Sequence, residues 1–461
     1  MSDAETFVAS SSLPVSVEDA FAYHERPGAL QRLIPPWESV EIEHSDGTIR
    51  AGSRVVMKTS IAAVPVRWVA EHTQYDPPRR FADRQVSGPF QSWDHVHEFL
   101  ESGRYSLLRD SIRYRLPMGG LGRLLGGGMA LKRLEAMFAY RHRITRDDLT
   151  LQADHPVSPM SIAVSGSSGL VGSSLGSMLT LLGHRIRPLV RSAGGDDAAI
   201  AVWSSEEEAR KLSDVDAVVH LAGKPIAGGR WTEAVKEEIR NSRTGLTRSL
   251  CESLARLEKK PKVLVCASAT GIYGDRGDEL LDETSQPGST FLAEVAGDWE
   301  RACRPAVEAG IRVVNARFGM VLSPRDGALA KMLLPAKFGG GSLGSGEQWW
   351  SWIALDDALG AIYHSIATES LSGPVNFVAP DACTNEQFTR TLAATLGRPA
   401  LIPAPAAVLR IALGEMADAL LLASTRATPS KLLSSNYRFR FTDLGESLRY
   451  LLGKERLESS E

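Results

Sequence analysis

Three closely spaced glycines are the residues with the clearest chemical purpose in this sequence. Gly166, Gly169 and Gly172 follow an apolar segment of strand length, residues 161–165, and precede a leucine-rich segment that ends at Gly183. Between a strand and a helix, this spacing permits a tight turn, close approach of the backbone to a pyrophosphate, and close packing of helix on strand. The free amides at the helix N-terminus would face the phosphates. The pattern predicts a dinucleotide site made of Gly166, Ser167, Gly169, Leu170, Val171 and Gly172. A purely structural turn is the alternative.

A second predicted strand, residues 185–190, ends immediately before Arg191. Proteins selective for NAD normally carry an acidic residue at this point, where it binds the ribose hydroxyls. A guanidinium can instead pair with the 2′-phosphate of NADP. The sequence therefore predicts NADP(H) as the cofactor, with a solvated surface position for Arg191 as the alternative.

Two further buried-strand patterns follow, at residues 216–223 and 262–267. The first ends in small residues, as expected where a chain passes close to a cofactor. We assign to the cofactor site Leu221, Ala222, Gly223 and Lys224. The Lys224 side chain would contact a phosphate or simply extend into water. With helices between them, these strands predict a doubly wound parallel sheet with its ligand crevice at the carboxyl edge.

In this order the segments resemble the extended short-chain dehydrogenases/reductases, in the epimerase-like YfcH or SDR39U branch of the NAD-dependent epimerase/dehydratase superfamily. The resemblance runs from about residue 161 to 452. It is carried by the glycine turn and by residues 221–226, 230–232, 241–243, 268–274, 291–295, 317–322 and 344–357. It implies an α/β doubly wound Rossmann domain over residues 161–398, followed by a small C-terminal lobe, residues 399–461, that is an extension typical of this subfamily.

The catalytic pattern of that family is only partly present. Its serine at the end of the fifth strand, which hydrogen-bonds the reacting oxygen, corresponds to Ser268. The resemblance also implies a tyrosine with a lysine four residues later, but residues 291–295 read Phe-Leu-Ala-Glu-Val. A phenyl ring has no proton to give, and valine has no charge to lower a neighbouring pKa. Tyr273 and Glu294 are candidates for a replacement acid, and Tyr273 equally suits a role in loop structure.

The resemblance places Thr270, Arg317 and Trp352 beside the substrate. Arg317 matches an arginine that lies near the substrate in extended members, and its guanidinium suits an anionic group. Trp352 belongs to an aromatic cluster, residues 349–352, that follows a glycine-rich segment. Such a cluster is typical of a lid over a cleft or of a packed edge of the core.

Residues 1–145 have a different pattern, with strand-like alternation first and a helix last, joined by a glycine-rich stretch at 119–128. This order is similar to the START/Bet v 1-like (SRPBCC) fold, an α+β helix-grip fold whose curved antiparallel sheet wraps a C-terminal helix. The resemblance implies a cavity for an apolar or aromatic ligand. His95 and His97 share one face of a strand and could meet a ligand or metal. Two histidines without a third ligand make no metal site, so we assign none and expect ordinary sheet residues.

Length and composition support this division. The chain has 461 residues, 43% hydrophobic and 23% charged, as expected of a globular protein with two domains. Residues 146–160, polar and rich in proline at their end, are predicted to form a linker. The formal net charge of −3 gives no electrostatic reason to expect nucleic acid or an anionic membrane as partner.

The sequence shows no recognisable targeting signal, and its cysteines predict neither a metal site nor a disulfide. Its acidic start is unlike a signal peptide and no apolar run is long enough to span a bilayer, so the expected compartment is the cytoplasm. The cysteines are too widely spaced to predict zinc binding or disulfides, and we expect buried, small apolar residues. They are Cys251, Cys266, Cys303 and Cys383.

Three functions are open at this point. The leading one is an NADP(H)-dependent oxidoreductase or epimerase-like enzyme acting on a small carbonyl, hydroxyl or nucleotide-sugar substrate. The second is a non-catalytic NADP(H)-binding sensor or scaffold coupled to a hydrophobic-ligand-binding domain, which the missing tyrosine and lysine favour. The third makes the N-terminal domain the functional part, as a carrier of a lipid or aromatic metabolite.

Overall fold

The computed structural model describes residues 4–61, 64–192 and 198–457. The chain divides into two units. Of the described residues, the first contains 4–61, 64–157, 177–183 and 449–457, and the second contains 158–176, 184–192 and 198–448.

An antiparallel sheet of seven strands and a long helix dominate the first unit. The strands are β1 (Glu5–Leu13), β2 (Glu41–Ser45), β3 (Arg54–Ile61), β4 (Val64–Asp76), β5 (Arg80–Ser87), β6 (Ser92–Ser102) and β7 (Tyr105–Arg115), in the order β1-β7-β6-β5-β4-β3-β2. The helices are α1 (Val17–Glu25), α2 (Ala29–Leu33) and α3 (Gly119–Asp154). Burial alternates along β7, as expected of a sheet with one face towards a core, and Ile112 and Tyr114 pack with Phe138 of α3. The predicted helix-grip fold is confirmed.

Helix α3 corrects two boundary predictions. Its first turns include the glycine-rich stretch 119–128, which tolerates helical backbone at a cost of about 1 kcal/mol per glycine. It also continues through Asp154, so most of the predicted linker is helical. The polar residues there serve a buried contact: Asp148 accepts hydrogen bonds from both Nε and Nη2 of Arg32, at 2.9 and 2.8 Å, and from the Tyr23 hydroxyl at 2.9 Å. The extended connection begins only at His155.

Six parallel strands form the sheet of the second unit, in the order β18-β13-β11-β10-β8-β9. The strands of this unit are β8 (Ser161–Ser165), β9 (Arg185–Leu189), β10 (Ala217–His220), β11 (Val263–Ala269), β12 (Leu280–Leu281), β13 (Arg312–Phe318), β14 (Met320–Leu322), β15 (Gly340–Leu343), β16 (Trp349–Trp350), β17 (Trp352–Ala354), β18 (Gly373–Phe377), β19 (Cys383–Thr384), β20 (Ile402–Ala404) and β21 (Arg426–Ala427). The strands of the main sheet are buried almost without interruption, as in a sheet covered on both faces. The doubly wound Rossmann fold is confirmed.

Helices connect these strands. They are α4 (Leu170–Leu181), α5 (Glu206–Arg210), α6 (Glu233–Arg256), α7 (Phe291–Ala302), α8 (Arg304–Glu308), α9 (Gly327–Lys337), α10 (Leu355–Ala367), α11 (Asn385–Thr395), α12 (Ala406–Leu413), α13 (Glu415–Ala417), α14 (Ser430–Ser434) and α15 (Leu444–Leu451). Short 3₁₀ turns occupy Lys211–Asp214 and Thr270–Tyr273, and a π-helical turn Asp418–Leu422. The chain leaves β8 for β9 on one side and reaches β10 on the other, so the strand order reverses at β8. In such sheets ligands bind outside the carboxyl ends of the strands at the point of reversal.

Gly414 separates two short helices of the C-terminal lobe, α12 and α13, with a φ of +65°. Positive φ is incompatible with a continuing right-handed helix, so α12 ends there. The π-helical turn follows α13 directly.

The structure also bears on the cysteines and on the helix lengths. All four cysteines are free and buried, as expected. Within the described residues, no helix combines the length and the apolar character needed to cross a bilayer.

Candidate dinucleotide and substrate site

The turn between β8 and α4 leaves no room for side chains at two of its glycines. A Cβ at Gly172 would lie 2.2 Å from the carbonyl oxygen of Gly166. Gly166 itself has a φ of +66°, and a Cβ there would lie 3.0 Å from the carbonyl of Leu221. The amide of Gly169 closes the turn on the Gly166 carbonyl at 3.0 Å. The glycine spacing thus brings the N-terminus of α4 against the end of β8 and against the loop after β10.

A buried histidine holds the two strand ends together. The hydroxyl oxygen of Ser165 accepts the amides of Leu221 and Ala222, at 3.0 and 3.2 Å, and lies 2.7 Å from Nδ1 of His220. Since both amides donate to it, the hydroxyl must donate its own proton to Nδ1. The other ring nitrogen of His220, Nε2, then carries the hydrogen and donates to Thr247 Oγ1 at 2.9 Å. Every partner therefore fits a neutral imidazole protonated on Nε2.

Burial also favours the neutral form of the His220 ring. His220 has no exposed surface, and its burial lowers the pKa of the imidazole to about 4. A positive ring would also lose the hydrogen bond from Ser165, because Nδ1 could no longer accept it. The two loops are thus joined by a histidine that the fold keeps neutral.

The segment after β10 is bound to helix α6. Lys224 donates its amide to Ser242 Oγ at 3.0 Å, and its carbonyl accepts from Nη2 of Arg243 at 2.9 Å. Burial lowers the pKa of Arg243 to about 10. The Lys224 ammonium forms an ion pair with Glu238. A phosphate contact by Lys224 stays a prediction, since this lysine already has an anionic partner.

Ser268 lies at the carboxyl end of β11 and is almost fully buried. Its hydroxyl donates to Oε1 of Glu300 at 2.8 Å. The two carboxylate oxygens of Glu300 accept from Nε and Nη2 of Arg317, at 2.8 and 2.9 Å. Such a two-pronged ion pair fixes the carboxylate in the plane of the guanidinium. The structure therefore brings Ser268 and Arg317 together through Glu300, a residue that the sequence did not single out.

Tyr273 is enclosed on the other side of Arg317. The Tyr273 side chain is fully buried, and its hydroxyl lies 2.9 Å from Nη1 of Arg317, 2.7 Å from Oδ1 of Asn376 and 2.9 Å from the carbonyl of Asp282. Burial raises the pKa of Tyr273 above its usual value, although Arg317 acts in the opposite direction. These contacts favour the structural alternative for Tyr273. Its catalytic role stays a prediction.

Helix α7 begins where the family's tyrosine and lysine are expected. Thr290 caps the N-terminus of α7, whose first residue is Phe291. The Lys236 ammonium and the Arg240 guanidinium lie over the Phe291 ring, 5.3 and 6.0 Å from its centre. Val295 is buried. Glu294, proposed as a replacement acid, is exposed and paired with Arg240 at 3.1 Å. Helix α7 thus keeps its expected place in the chain and contributes Glu300, from its last turns, to the buried ion pair.

The remaining predicted residues occupy two kinds of surroundings. Thr270 and Trp352 are buried; the indole N–H of Trp352 donates to the carbonyl of Asp381 at 2.9 Å, which fits a packed core edge. Arg191 follows β9 with an exposed side chain, and residues 193–197 lie outside the described part of the chain. The substrate roles of Thr270 and Trp352 stay predictions.

Comparison with known proteins agrees with this geometry. Residues 162–377 match the model of the NAD dependent epimerase/dehydratase family. An epimerase family protein of Mycobacterium bovis is 41% identical over 293 residues, which cover 63% of this chain and 96% of the relative. The chain belongs to the NAD-dependent epimerase/dehydratase family.

Other comparisons extend this assignment to both ends of this epimerase-family chain. Residues 13–138 match the polyketide cyclase/dehydrase and lipid transport family, and residues 404–451 a domain of unknown function, DUF1731. A crystal structure described as the nucleoside-diphosphate sugar epimerase from Corynebacterium glutamicum is similar over 98% of this chain and 91% of its own, with 33% identity and a TM-score of 0.80. The human epimerase family protein SDR39U1, solved with NADPH, is 31% identical with a TM-score of 0.59 and covers 64% of this chain and 99% of its own.

The buried His220 predicts a measurable dependence of stability on pH. In the unfolded chain the His220 imidazole takes up a proton near the usual pKa of 6.5, whereas in the folded chain its pKa is about 4. Stability from this group is therefore complete above pH 6.5 and is lost as the pH falls towards 4, by about 2 kcal/mol between pH 7 and pH 5. We expect His220→Asn, which retains an acceptor for Ser165, to lose less stability over this range than the wild type. Denaturant unfolding at each pH measures this difference.

The exposed His44 provides the control, since His44→Asn should leave the wild-type profile unchanged. Equal losses in the wild type and in His220→Asn would contradict a neutral, buried His220.

Proposed function

We propose that this chain is an NADP(H)-dependent oxidoreductase or epimerase-like enzyme that acts on a small carbonyl, hydroxyl or nucleotide-sugar substrate. The observation that carries the proposal is the position of Ser268. Its hydroxyl lies at the carboxyl edge of β11, next to the strand whose loop packs on the glycine turn, and is hydrogen-bonded to a fixed carboxylate. The NADPH bound to the human relative supports the choice of cofactor.

The residues present fit a dinucleotide. Side chains are excluded at Gly166 and Gly172, so a pyrophosphate can approach the backbone there, and the α4 N-terminus offers its amides. In this proposal Arg191, which is exposed two residues after β9, pairs with the 2′-phosphate. Nicotinamide, when bound, supplies the hydride chemistry.

Ser268 and Glu300 provide a proton route without the usual tyrosine. Because the Ser268 hydroxyl donates to Glu300, its lone pairs are available to accept a hydrogen bond from a substrate hydroxyl. The substrate proton can pass to Ser268 Oγ as the serine proton passes to Oε1 of Glu300, and the reverse transfer returns it. Arg317 orients the carboxylate throughout. In this proposal Arg317 positions Glu300, and its predicted grip on a substrate anion would require breaking that ion pair.

One observation favours a second candidate function, a sensor without catalytic activity. Phe291 and Val295 stand where a proton donor and a cation are expected, and Tyr273 is enclosed by internal hydrogen bonds. A non-catalytic NADP(H)-binding sensor, coupled to an N-terminal domain that binds a hydrophobic ligand, needs none of these groups. Tight NADPH binding without turnover of any substrate would favour it.

The proton route predicts which carboxylate on α7 matters. We expect Ser268→Ala and Glu300→Gln to lower kcat by about 100-fold or more, since general acid–base groups contribute about 10²–10⁴. The affinity for NADPH should not change, and Ser268→Thr should recover part of the rate. The measurement is NADPH formation or consumption with UDP-sugars, aldehydes, ketones and secondary alcohols.

Glu294→Gln is the matched control, because it removes an exposed carboxylate from the same helix. Loss of activity in Glu294→Gln with full activity in Glu300→Gln would refute the proposed route.

The cofactor preference depends on Arg191. Loss of a charge-assisted hydrogen bond costs about 1.5–3 kcal/mol, so Arg191→Asp should reduce the NADPH/NADH affinity ratio by roughly 10- to 100-fold. Calorimetric titration with each dinucleotide measures it. The control is Arg185→Asp, an exposed arginine at the opposite end of β9, which should keep the wild-type ratio. An unchanged ratio in Arg191→Asp would reject the assigned role.

A further inference from the structure

Imidazoles and carboxylates are concentrated on one face of the antiparallel sheet of the first unit. Asp83 on β5 lies directly opposite His95 on β6, and His97 lies directly opposite Asp110 on β7. Directly paired residues, and alternate residues of one strand, share a face of the sheet. All four side chains therefore project from the same side, within three adjacent strands.

Three atoms of this group surround one point. Oδ2 of Asp83 lies 3.4 Å from Nδ1 of His95 and 3.9 Å from Nε2 of His97, and the three ligand atoms all lie within 4.8 Å of one another. The shortest of these separations, between Asp83 and His95, is close to the distance of about 3.3–3.6 Å between neighbouring ligands of a tetrahedral ion with bonds of about 2.0–2.2 Å, and the others are longer.

Asp110 occupies the other side of both rings. Its Oδ1 lies 3.0 Å from Nε2 of His95 and 2.5 Å from Nδ1 of His97, the second contact being off the line of a regular hydrogen bond. Its Oδ2 lies 2.6 Å from Nε2 of His142. A carboxylate in this position draws the ring protons towards itself and leaves the opposite nitrogens as acceptors, the arrangement that orients metal-binding histidines.

When each ring carries its proton on the nitrogen that faces Asp110, Nδ1 of His95 and Nε2 of His97 are left as ligand atoms beside Oδ2 of Asp83. Metal binding displaces any proton on those two nitrogens, as it does for every histidine ligand. His95 is almost fully buried, whereas Asp83 and His97 are partly exposed. We propose that Asp83, His95 and His97 bind a divalent first-row metal ion of the Zn²⁺ type, with a further coordination position open to water or to an oxygen of a bound ligand.

The surroundings suit such an ion. Phe81 stacks on His97 with ring centres 4.0 Å apart, and Phe138 meets His95 edge-on at 5.5 Å, so both rings are held in place. His72, directly opposite Asp83 on β4, is buried, and its Nδ1 has no hydrogen-bond partner among the described residues. The two carboxylates, the partly exposed Asp83 and the buried Asp110, balance the charge of a divalent ion.

This inference replaces the earlier assignment of no metal and is independent of the dinucleotide site. The sequence showed two histidines on one strand and no third ligand. Asp83 supplies it from the neighbouring strand, where only the register between β5 and β6 places it opposite His95.

Metal titration of the full-length chain tests the site. After treatment with a chelator and its removal, Zn²⁺ is titrated by calorimetry and Co²⁺ by visible absorption. We expect one ion per chain, with Co²⁺ bands typical of four or five ligands. Asp83→Asn and His97→Gln should weaken binding by about 100-fold or more, and Asp110→Asn, which removes only the orienting carboxylate, by roughly 10- to 100-fold. His44→Gln, an exposed histidine 2.9 Å from Asp46, is the matched control and should bind as the wild type does.

X-ray absorption of the zinc-loaded wild type needs no variant and should show two imidazole nitrogens with oxygen ligands. Absence of saturable binding of either ion by the wild type up to ~1 mM would overturn the proposal. So would a spectrum without imidazole ligands, or wild-type affinity in folded Asp83→Asn and His97→Gln, with folding judged by circular dichroism.

Discussion

The close contact between the α4 N-terminus and the end of β8 is the constraint on which the second unit depends. Hydrogen is the only substituent that fits at Gly172, where a Cβ would lie 2.2 Å from the Gly166 carbonyl oxygen, and a Cβ at Gly166 would lie 3.0 Å from the carbonyl of Leu221. Ser165 joins these two loops by accepting amides from the second, and the neutral His220 holds Ser165 in that orientation. Backbone amides, not charged side chains, are therefore the groups that we propose to bind a phosphate.

A buried ion pair between Arg317 and Glu300 lies at the neighbouring edge of the sheet, beside Ser268, and the proposed proton route passes through it. In related enzymes helix α7 would contribute a tyrosine and a lysine from its first turns. Here its first turn presents Phe291 to two cations, and its last turns present Glu300 to Ser268 and Arg317. A buried ion pair is tolerated only when its geometry satisfies both partners, and the two parallel hydrogen bonds between Arg317 and Glu300 meet that condition. The chain thus keeps the fold of its family with a different set of polar side chains, and the fold alone does not determine the chemistry.

The sequence predicts best where the physical cause is local. Glycine spacing, buried-strand runs and helix boundaries around β8 and α4 follow from neighbouring residues, and the parallel sheet follows from them. Long-range partners do not. Glu300 looks like an ordinary helical carboxylate until the fold brings it to Ser268, 32 residues away, and Asp148 looks like part of a linker until Arg32 pairs with it in the interior. Asp83 likewise becomes a neighbour of His95 only through strand register.

The most direct test of the central claim is calorimetric titration of NADPH into the wild type, Gly172→Ala and Gly176→Ala. A Cβ at Gly176, on the same helix, meets nothing within 4 Å among the described residues, so this variant controls for glycine replacement itself. We expect the wild type and Gly176→Ala to bind NADPH alike, and Gly172→Ala, folded by circular dichroism, to lose affinity. Absence of binding heat from the wild type with either nicotinamide dinucleotide, or undiminished affinity in Gly172→Ala, would contradict the account.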